Sequence, residues 1–324
     1  MTPNLRIFLG VFLLSLPLWW GLNVAGERLE NFFFWSELAR NPQMFTAQAS
    51  LETKLWEMLP SRKQSAAPLE LGASSALSVF VQGESQESKV LFEKDAQKRI
   101  PIASLSKLMG ALVVARRYPL DKEIVVSRVA VAEEENFGEL KEGDSFTHFD
   151  LLRPMLMESS NDASAAFALE IGMANFLNLM NQEADSLGLF DTFFANHAGL
   201  DPDIPGEPLN YSTARDLFVL TRHLKTFYSS VFEILGLKEY PLYTADGRFH
   251  HMMKNTNELL ASNGWPTRVL GGKTGWTPEA QGGLVLVLES PKGKGYLVNI
   301  VLGSEQRFRD MKELVNWVFD SWRF

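Results

Sequence analysis

The sequence predicts an α+β fold: an antiparallel sheet packed by helices, with a helical lobe inserted between its strands. Three observations point there. β-Prone runs stand on both sides of a long middle, Ala76 to Val81 and Lys89 to Phe92 before it, Arg268 to Lys273, Leu284 to Leu288 and Tyr296 to Leu302 after it. The middle itself carries helical periods rather than strand alternation. The polar GESQES stretch joins the first two runs as a hairpin, so that pair at least is antiparallel.

In chain order, the first feature lies outside that fold. Ile7 to Ala25 is nineteen residues without a charge, preceded by Arg6 and followed by Glu27, Arg28 and Glu30. That length spans a bilayer core. A cleaved signal peptide would have small residues at both positions of its cleavage site, and Asn23-Val24-Ala25 offers one. We therefore expect residues 1–28 to be an uncleaved membrane anchor, with a short inside tail and the rest of the chain outside the cytoplasm. Residues 29–71 are expected as a helical juxtamembrane segment and linker. Phe32, Phe33, Phe34, Trp35 and Trp56 suit either the lipid headgroup level or a helix packed on the domain. Pro60 to Gly72 has the Pro, Ser and charge content of a linker, which puts a boundary near residue 70 and the main domain over 72–324.

Within that domain, Leu105, Leu108, Met109, Leu112 and Val113 repeat at i, i+3, i+4, i+7 and i+8, the spacing of a buried amphipathic helix over 104–116. Thr147 with Asp150 resembles a capping box ahead of LLRPMLM. Further helical patterns run over Ala163 to Leu187 and Thr213 to His223, and a last one from about Arg309 to Trp322.

Composition removes several classes of function. With 46% hydrophobic and 22% charged residues the chain can bury a sizeable core. A net charge of -8 without a run of Lys and Arg argues against a nucleic-acid partner. There is no cysteine, hence no disulfide and no thiolate chemistry. The five histidines show no metal-ligand spacing, so neither a metal nor a cofactor is expected.

Chemistry concentrates in three short motifs. Ser104 and Lys107 stand three apart at the start of the first helix, so they share a face. A serine hydroxyl becomes a nucleophile when a neighbouring base takes its proton, and a lysine amine is such a base only when neutral. At the ordinary lysine pKa roughly one amine in 2,500 is neutral at pH 7, about 4.6 kcal/mol against the reaction, so burial and a second cation have to help. Ser159-Ser160-Asn161 falls between two helical patterns, where it either caps the second helix or projects two polar side chains into a cleft. Lys273-Thr274-Gly275 closes a strand, either as an ordinary strand end or as a source of positive charge, hydroxyl and room for close approach. Singly, each is a weak signal. Together, S-x-x-K, S-x-N and K-T-G in this order are the catalytic set of penicillin-binding proteins and serine β-lactamases.

PIASLSKLMGALVV, MESSNDASAAFALE, FFANHAGL, NYSTARDL, KNTNELL and GGKTGWT resemble successive blocks of the low-molecular-mass penicillin-binding D-alanyl-D-alanine carboxypeptidases, from about Ala76 to Trp317. The resemblance implies a five-stranded antiparallel sheet flanked by helices, a helical subdomain, and a site at their junction. It implies Ser104 as acyl-accepting nucleophile, Lys107 as its general base and Ser159 as proton relay. Asn161 would hold the substrate peptide, Lys273 and Thr274 the terminal carboxylate, with Gly275 giving close approach and Arg307 supporting the carboxylate pocket. The backbone N–H groups of Ser104 and Trp276 would form the oxyanion hole. Implied partners are peptidoglycan peptides ending in D-Ala-D-Ala, β-lactams as covalent inhibitors, and the membrane through residues 7–25. Position 276 departs from the pattern, a bulky Trp where His or Tyr is expected. Few residues follow Trp322, so the second β-rich domain and C-terminal anchor of some members are not expected, and the N-terminal span stands in for that anchor.

Two rivals remain at this level. A β-lactamase would use a glutamate in E-x-x-x-N spacing to activate water, whereas Glu207 to Asn210 is E-x-x-N, one residue short. A membrane-bound penicillin sensor would need a cytoplasmic output module, and about six residues precede the span.

Overall fold

The computed structural model describes residues 59–83, 86–132, 139–204 and 206–324, and before them only Phe12 and Leu29. Apart from Phe12, the expected anchor over 7–25 lies outside the described residues, as does the aromatic segment after it. Among the described residues, no single helix is long and apolar enough to cross a membrane.

In chain order the strands are β1 (Ser61–Arg62), β2 (Ser75–Gln82), β3 (Ser88–Lys94), β4 (Ile100–Pro101), β5 (Glu123–Val125), β6 (Ser145–Thr147), β7 (Tyr211–Ser212), β8 (Glu239–Tyr243), β9 (Phe249–Lys254), β10 (Val269–Thr277), β11 (Gln281–Glu289), β12 (Gly295–Ser304) and β13 (Trp322–Arg323). The helices are α1 (Lys107–Arg117), α2 (His148–Met157), α3 (Asn161–Ile171), α4 (Met173–Ser186), α5 (Ala214–Phe227), α6 (Ser229–Ile234) and α7 (Arg307–Ser321). Five strands form one antiparallel sheet in the order β10-β11-β12-β2-β3. Everything between β3 and β10 is therefore an insertion between the two edges of the sheet, and the β12–β2 pairing closes the domain. β3 is an edge strand, and the charges of its Lys89, Glu93 and Lys94 discourage pairing with another chain.

Side chains alternate across the central strands. Val285 and Val287, Val298 and Ile300, and Leu77 and Val79 join the core shared with α1 to α6. Leu284, Leu286 and Leu288 turn the other way, to the face packed by α7, whose Met311, Leu314, Val315 and Val318 are buried. Polar side chains inside that layer are paired: Ser78 Oγ donates to Asn299 Oδ1 at 2.7 Å, and Ser304 Oγ to Asp310 Oδ2 at 2.6 Å.

Local chemistry sets the helix limits. Thr147 caps α2 by accepting the Asp150 N–H at 3.0 Å and donates its own hydroxyl to the Asp150 carboxylate at 2.6 Å. The helical pattern over 163–187 is broken in two. Gly172, at φ +89°, takes a left-handed conformation that a side-chain-bearing residue avoids, and α3 and α4 meet at 100°. β10 runs past the expected end at Lys273, because its register with β11 continues to Thr277 opposite Gln281. The motif Lys273-Thr274-Gly275 thus lies inside a strand rather than closing one.

The stretch expected as a linker is held on the domain instead. β1 pairs with β13, Lys63 donates its N–H to Ser321 O at 2.8 Å, and Trp317 Nε1 donates to Ala67 O at 2.7 Å. The compact unit accordingly begins at Pro60, ten residues earlier than the composition suggested.

Candidate active site

The first motif sits where a tight turn becomes a helix. Ala103 has φ +46° and opens a 3-10 turn over Ala103–Ser106 that runs into α1. That turn leaves Ser104 half-exposed and puts Lys107 on the first buried position of the helix. Lys107 Nζ donates to Ser104 Oγ at 2.8 Å, to Asn161 Oδ1 at 2.7 Å and to Ala198 O at 3.0 Å. Three oxygens surround the amine and hold it beside the hydroxyl; a neutral amine keeps the Asn161 and Ala198 contacts with its two protons and turns its lone pair to Ser104 Oγ.

The second motif divides its labour. Ser160 is the N-cap of α3, accepting the Ala163 N–H at 3.1 Å. Capping thus belongs to the middle residue, and its two neighbours face the lysines. Asn161 accepts from Lys107, and Ser159 Oγ accepts from Lys273 Nζ at 2.8 Å. Ser159 has φ +63°, a conformation costing about 1–3 kcal/mol that the surroundings have to hold in place.

Lys273 is buried in β10 and also donates to Thr274 O at 3.0 Å. Burial holds its amine well below the usual lysine range, and the charges of Lys107 and Arg307 push the same way. Thr274 Oγ1 is 2.7 Å from Thr256 Oγ1, and Thr256 N–H donates to Met157 O at 2.9 Å, which ties the strand to the end of α2. Gly275 is required by space: a Cβ there would stand 2.8 Å from Ile102 O and 3.2 Å from the backbone N of Ser104. Arg307 opens α7, with its guanidinium over the Phe308 ring and a buried Nε that has no hydrogen-bond partner. Burial lowers its pKa from the ordinary value.

These residues surround one cleft of about 430 Å³. Ser104, Ser159, Asn161, Thr274, Gly275, Trp276 and Arg307 line it, with Lys107 and Lys273 hydrogen-bonded beneath. All nine sequence-nominated residues therefore meet at one place. Trp276 stands at the rim, 55% exposed.

Sequence reasoning missed the scaffold. Gly199, at φ +84°, lies so close to Ala103 that a Cβ would sit 1.9 Å from its carbonyl oxygen. Asn196 Oδ1 accepts the Gly199 N–H at 2.6 Å and so shapes the turn that offers Ala198 O to Lys107. Glu158 and Thr256 also line the cleft. For these the only signal was their place inside the blocks MESSNDA, FFANHAGL and KNTNELL. The E-x-x-N segment resolves into unrelated parts. Glu207 is exposed and does not line the cleft, while buried Asn210 accepts the N–H groups of Ala195 and Asn196 and donates to Ser106 Oγ and Asn196 O.

Fold and cleft together are those of the penicillin-binding, transpeptidase-like α+β class. The family model for D-alanyl-D-alanine carboxypeptidase, peptidase S11, matches residues 62–306, and the chain belongs to that family. It is 32% identical over 248 residues to the D-alanyl-D-alanine carboxypeptidase DacC of Escherichia coli, covering 71% of this chain and 58% of that protein. It is 31% identical over 261 residues to a D-alanyl-D-alanine endopeptidase of Pseudomonas aeruginosa, covering 77% and 78%. A Listeria monocytogenes penicillin-binding protein solved in its ampicillin-bound form is 30% identical, with a TM-score of 0.63 over 78% of this chain and 100% of that one. The chain thus spans less than two thirds of DacC and the whole of the Listeria chain.

Proposed function

We propose that this protein is a serine D-alanyl-D-alanine carboxypeptidase that trims peptidoglycan stem peptides through an acyl-enzyme on Ser104. The observation that carries the reading is the contact of Lys107 Nζ with Ser104 Oγ at 2.8 Å in a buried site that also holds a second lysine. Ser104 Oγ attacks the carbonyl of the penultimate D-alanine and passes its proton to Lys107. The tetrahedral oxyanion is met by the backbone N–H groups of Ser104 and Trp276, a role supported by the close approach of Gly275 to the Ser104 turn. As the C–N bond breaks, Ser159, linked to Lys273, relays a proton to the leaving D-alanine amine and is replenished with the proton that Lys107 took from Ser104. Asn161 holds the peptide, while Lys273, Thr274 and Arg307 hold the terminal carboxylate, consistent with an unpartnered Arg307 Nε at the cleft. Water then releases the shortened peptide. A β-lactam acylates the same serine, and its ring-opened leaving group stays tethered.

The wider arrangement is part of the proposal. Residues 1–28 anchor the chain in the membrane, the residues from 29 up to the compact unit at Pro60 connect, and that unit carries the enzyme outside the cytoplasm, a reading supported by the uncharged length of Ile7 to Ala25. Membrane fractionation with N-terminal sequencing should find the N-terminus retained, and a mature chain starting near Gly26 would overturn the anchor.

Endopeptidase cleavage of cross-links is the second reading. It is favoured by the match over 78% of the Pseudomonas endopeptidase, against 58% of DacC. The full chain in detergent, given a pentapeptide and a cross-linked muropeptide, separates the two by product mass. Release of D-alanine from the pentapeptide is expected, and cleavage of the cross-link alone would replace the carboxypeptidase reading.

A further inference from the structure

A second set of ionisable side chains reaches the same cleft from behind. Glu158, between the end of α2 and Ser159, lines the cleft, and its Oε2 lies 3.0 Å from His251 Nε2. The Nδ1 atoms of His251 and His250 are 2.6 Å apart, and His250 Nε2 stands 2.9 Å from Asp144 Oδ2. The four side chains are between 9% and 15% exposed. Neighbouring residues of a strand normally point to opposite faces. Here β9 carries a bulge: Leu242 pairs with His251 and Tyr243 with Phe249, leaving His250 as the extra residue, and that irregularity lets the two rings meet.

The atoms fix how many protons the set holds. An N···N contact between imidazoles is attractive with one proton in it, whereas two protons clash and none leaves lone pair facing lone pair. A carboxylate-to-imidazole contact likewise needs one. Three contacts need three protons, and two neutral rings bring only two. The third resides on a ring or on Glu158, giving the set a net charge of minus one instead of minus two.

We infer that Asp144, His250, His251 and Glu158 form one proton-holding chain, and that Glu158 at its cleft end is a positioning residue for the Ser159 turn, effective while the third proton is held. The inference rests on the acyl-transfer reading of the cleft. Ser159 sits at φ +63°, a conformation that persists only when neighbours over-determine it, and Glu158 is the residue directly before it. The chain just after β9 also reaches α2 through Thr256 N–H to Met157 O, so this segment is tied both to Glu158 and to the residue before it. Loss of the third proton leaves one contact unfilled and adds a negative charge beside the carboxylate-binding cations.

Beside Asp144, Lys141 and Glu142 are exposed, and the Lys141 N–H donates to Asp144 Oδ2 at 2.7 Å, while the other charges around the chain have partners of their own. Arg153 pairs with Asp150 on α2, and on the hairpin Arg248 pairs with Asp246 and Lys254 with Glu239. Glu123 of β5 accepts from Ser145, and Lys273 of β10 donates to Ser159. Among the described residues none of these stands in for the missing proton.

The test uses the full chain in detergent. Acylation rates with a fluorescent penicillin and peptide turnover are measured from about pH 5.5 to 9, a span that brackets imidazole chemistry, for the wild type and Asp144→Asn. The substitution keeps shape but removes the far carboxylate that balances the third proton. The ratio of variant to wild-type rate should fall severalfold as pH rises, with Tm little changed. A ratio flat across pH, whether low or near one, would overturn the proposal. Imidazole ¹⁵N and ¹H signals give an independent reading on unreacted protein: a proton shared between two Nδ1 atoms, lost in His250→Gln. If wild type neither labels nor turns over peptide, the functional reading has failed, and absence of the shared-proton signal overturns the chain on its own.

Discussion

In β11 and β12 nearly every side chain is apolar and buried, registers run unbroken over most of their length, and buried Asn299 and Ser304 have polar partners in Ser78 and Asp310. One strand away, around β10, the chain buries two lysines, holds Ser159 and Ala103 at positive φ, and brings backbones so close that Gly199 and Gly275 admit no Cβ. The difference shows where each kind of free energy resides. The sheet gains from burial at about 25 cal/mol per Å² of apolar surface. The cleft spends part of that gain on desolvated charge and strained backbone, which gather Ser104, Lys107, Ser159 and Lys273 about one small volume, the arrangement that the proposed acyl transfer uses.

The sharpest test exchanges one residue in each region. Ser104→Ala should abolish covalent labelling by a fluorescent penicillin while leaving Tm close to wild type, and Lys107→Ala should nearly abolish labelling. Leu286→Ala should do the reverse. It removes a fully buried side chain from the sheet, at a cost of about 2–5 kcal/mol seen in thermal or denaturant unfolding, yet the folded fraction should still label. Undiminished labelling of either cleft variant would break the comparison and the assignment with it.

A smaller effect of opposite sign is expected at Lys273. Burial and two neighbouring cations hold its amine well below the usual lysine range, so between its folded value and about 10.4 the unfolded chain binds the proton more tightly. The group therefore penalises the fold fully at pH below the folded value, and the penalty fades as pH rises toward the unfolded one. Lys273→Met should lose acylation by about a hundredfold or more and yet gain about 1 kcal/mol of stability. That gain should shrink as pH is raised. A variant less stable than wild type at every pH would mean that the bonds to Ser159 and Thr274 outweigh the desolvation.

The two regions were also unequally legible. The β8–β9 hairpin and the short α6 were not read from the sequence, whereas the five strands of the main sheet followed from β-prone runs and the longer helices from 3.6-residue patterns. Strand order did not, since β12 joins β2 across more than two hundred residues and no local pattern encodes that pairing. The break at Gly172 was missed because apolar residues continue on both sides and only the sign of φ separates the helices. At the site, Ser104, Lys107, Ser159, Asn161 and Lys273 could be nominated because each lies in a short motif, although the contacts Lys107–Asn161 and Lys273–Ser159 run between motifs. The contribution of Ala198 is a carbonyl oxygen, and that of Gly199 is the absence of a side chain. Neither has a residue-type signature.

The smallest expected effect is at Glu207, and it distinguishes a carboxypeptidase from a β-lactamase. After acylation by peptide, the departing D-alanine clears the path for water, whereas the ring-opened penicillin keeps its amine in the way. A general base for that water is worth about 100- to 10,000-fold, roughly 3 to 5.5 kcal/mol on the deacylation barrier. Glu207 cannot supply it from where it stands, exposed on its loop and away from the cleft lining, and its partner Asn210 is fully engaged as a clamp between Ser106 and the turn at Asn196. The penicilloyl ester at Ser104 should accordingly persist for minutes or longer while a D-Ala-D-Ala peptide is turned over repeatedly, and Glu207→Gln should change neither rate more than a few-fold. Rapid penicillin hydrolysis that collapses in Glu207→Gln would mean that this loop swings onto the cleft and that the enzyme destroys β-lactams rather than being trapped by them.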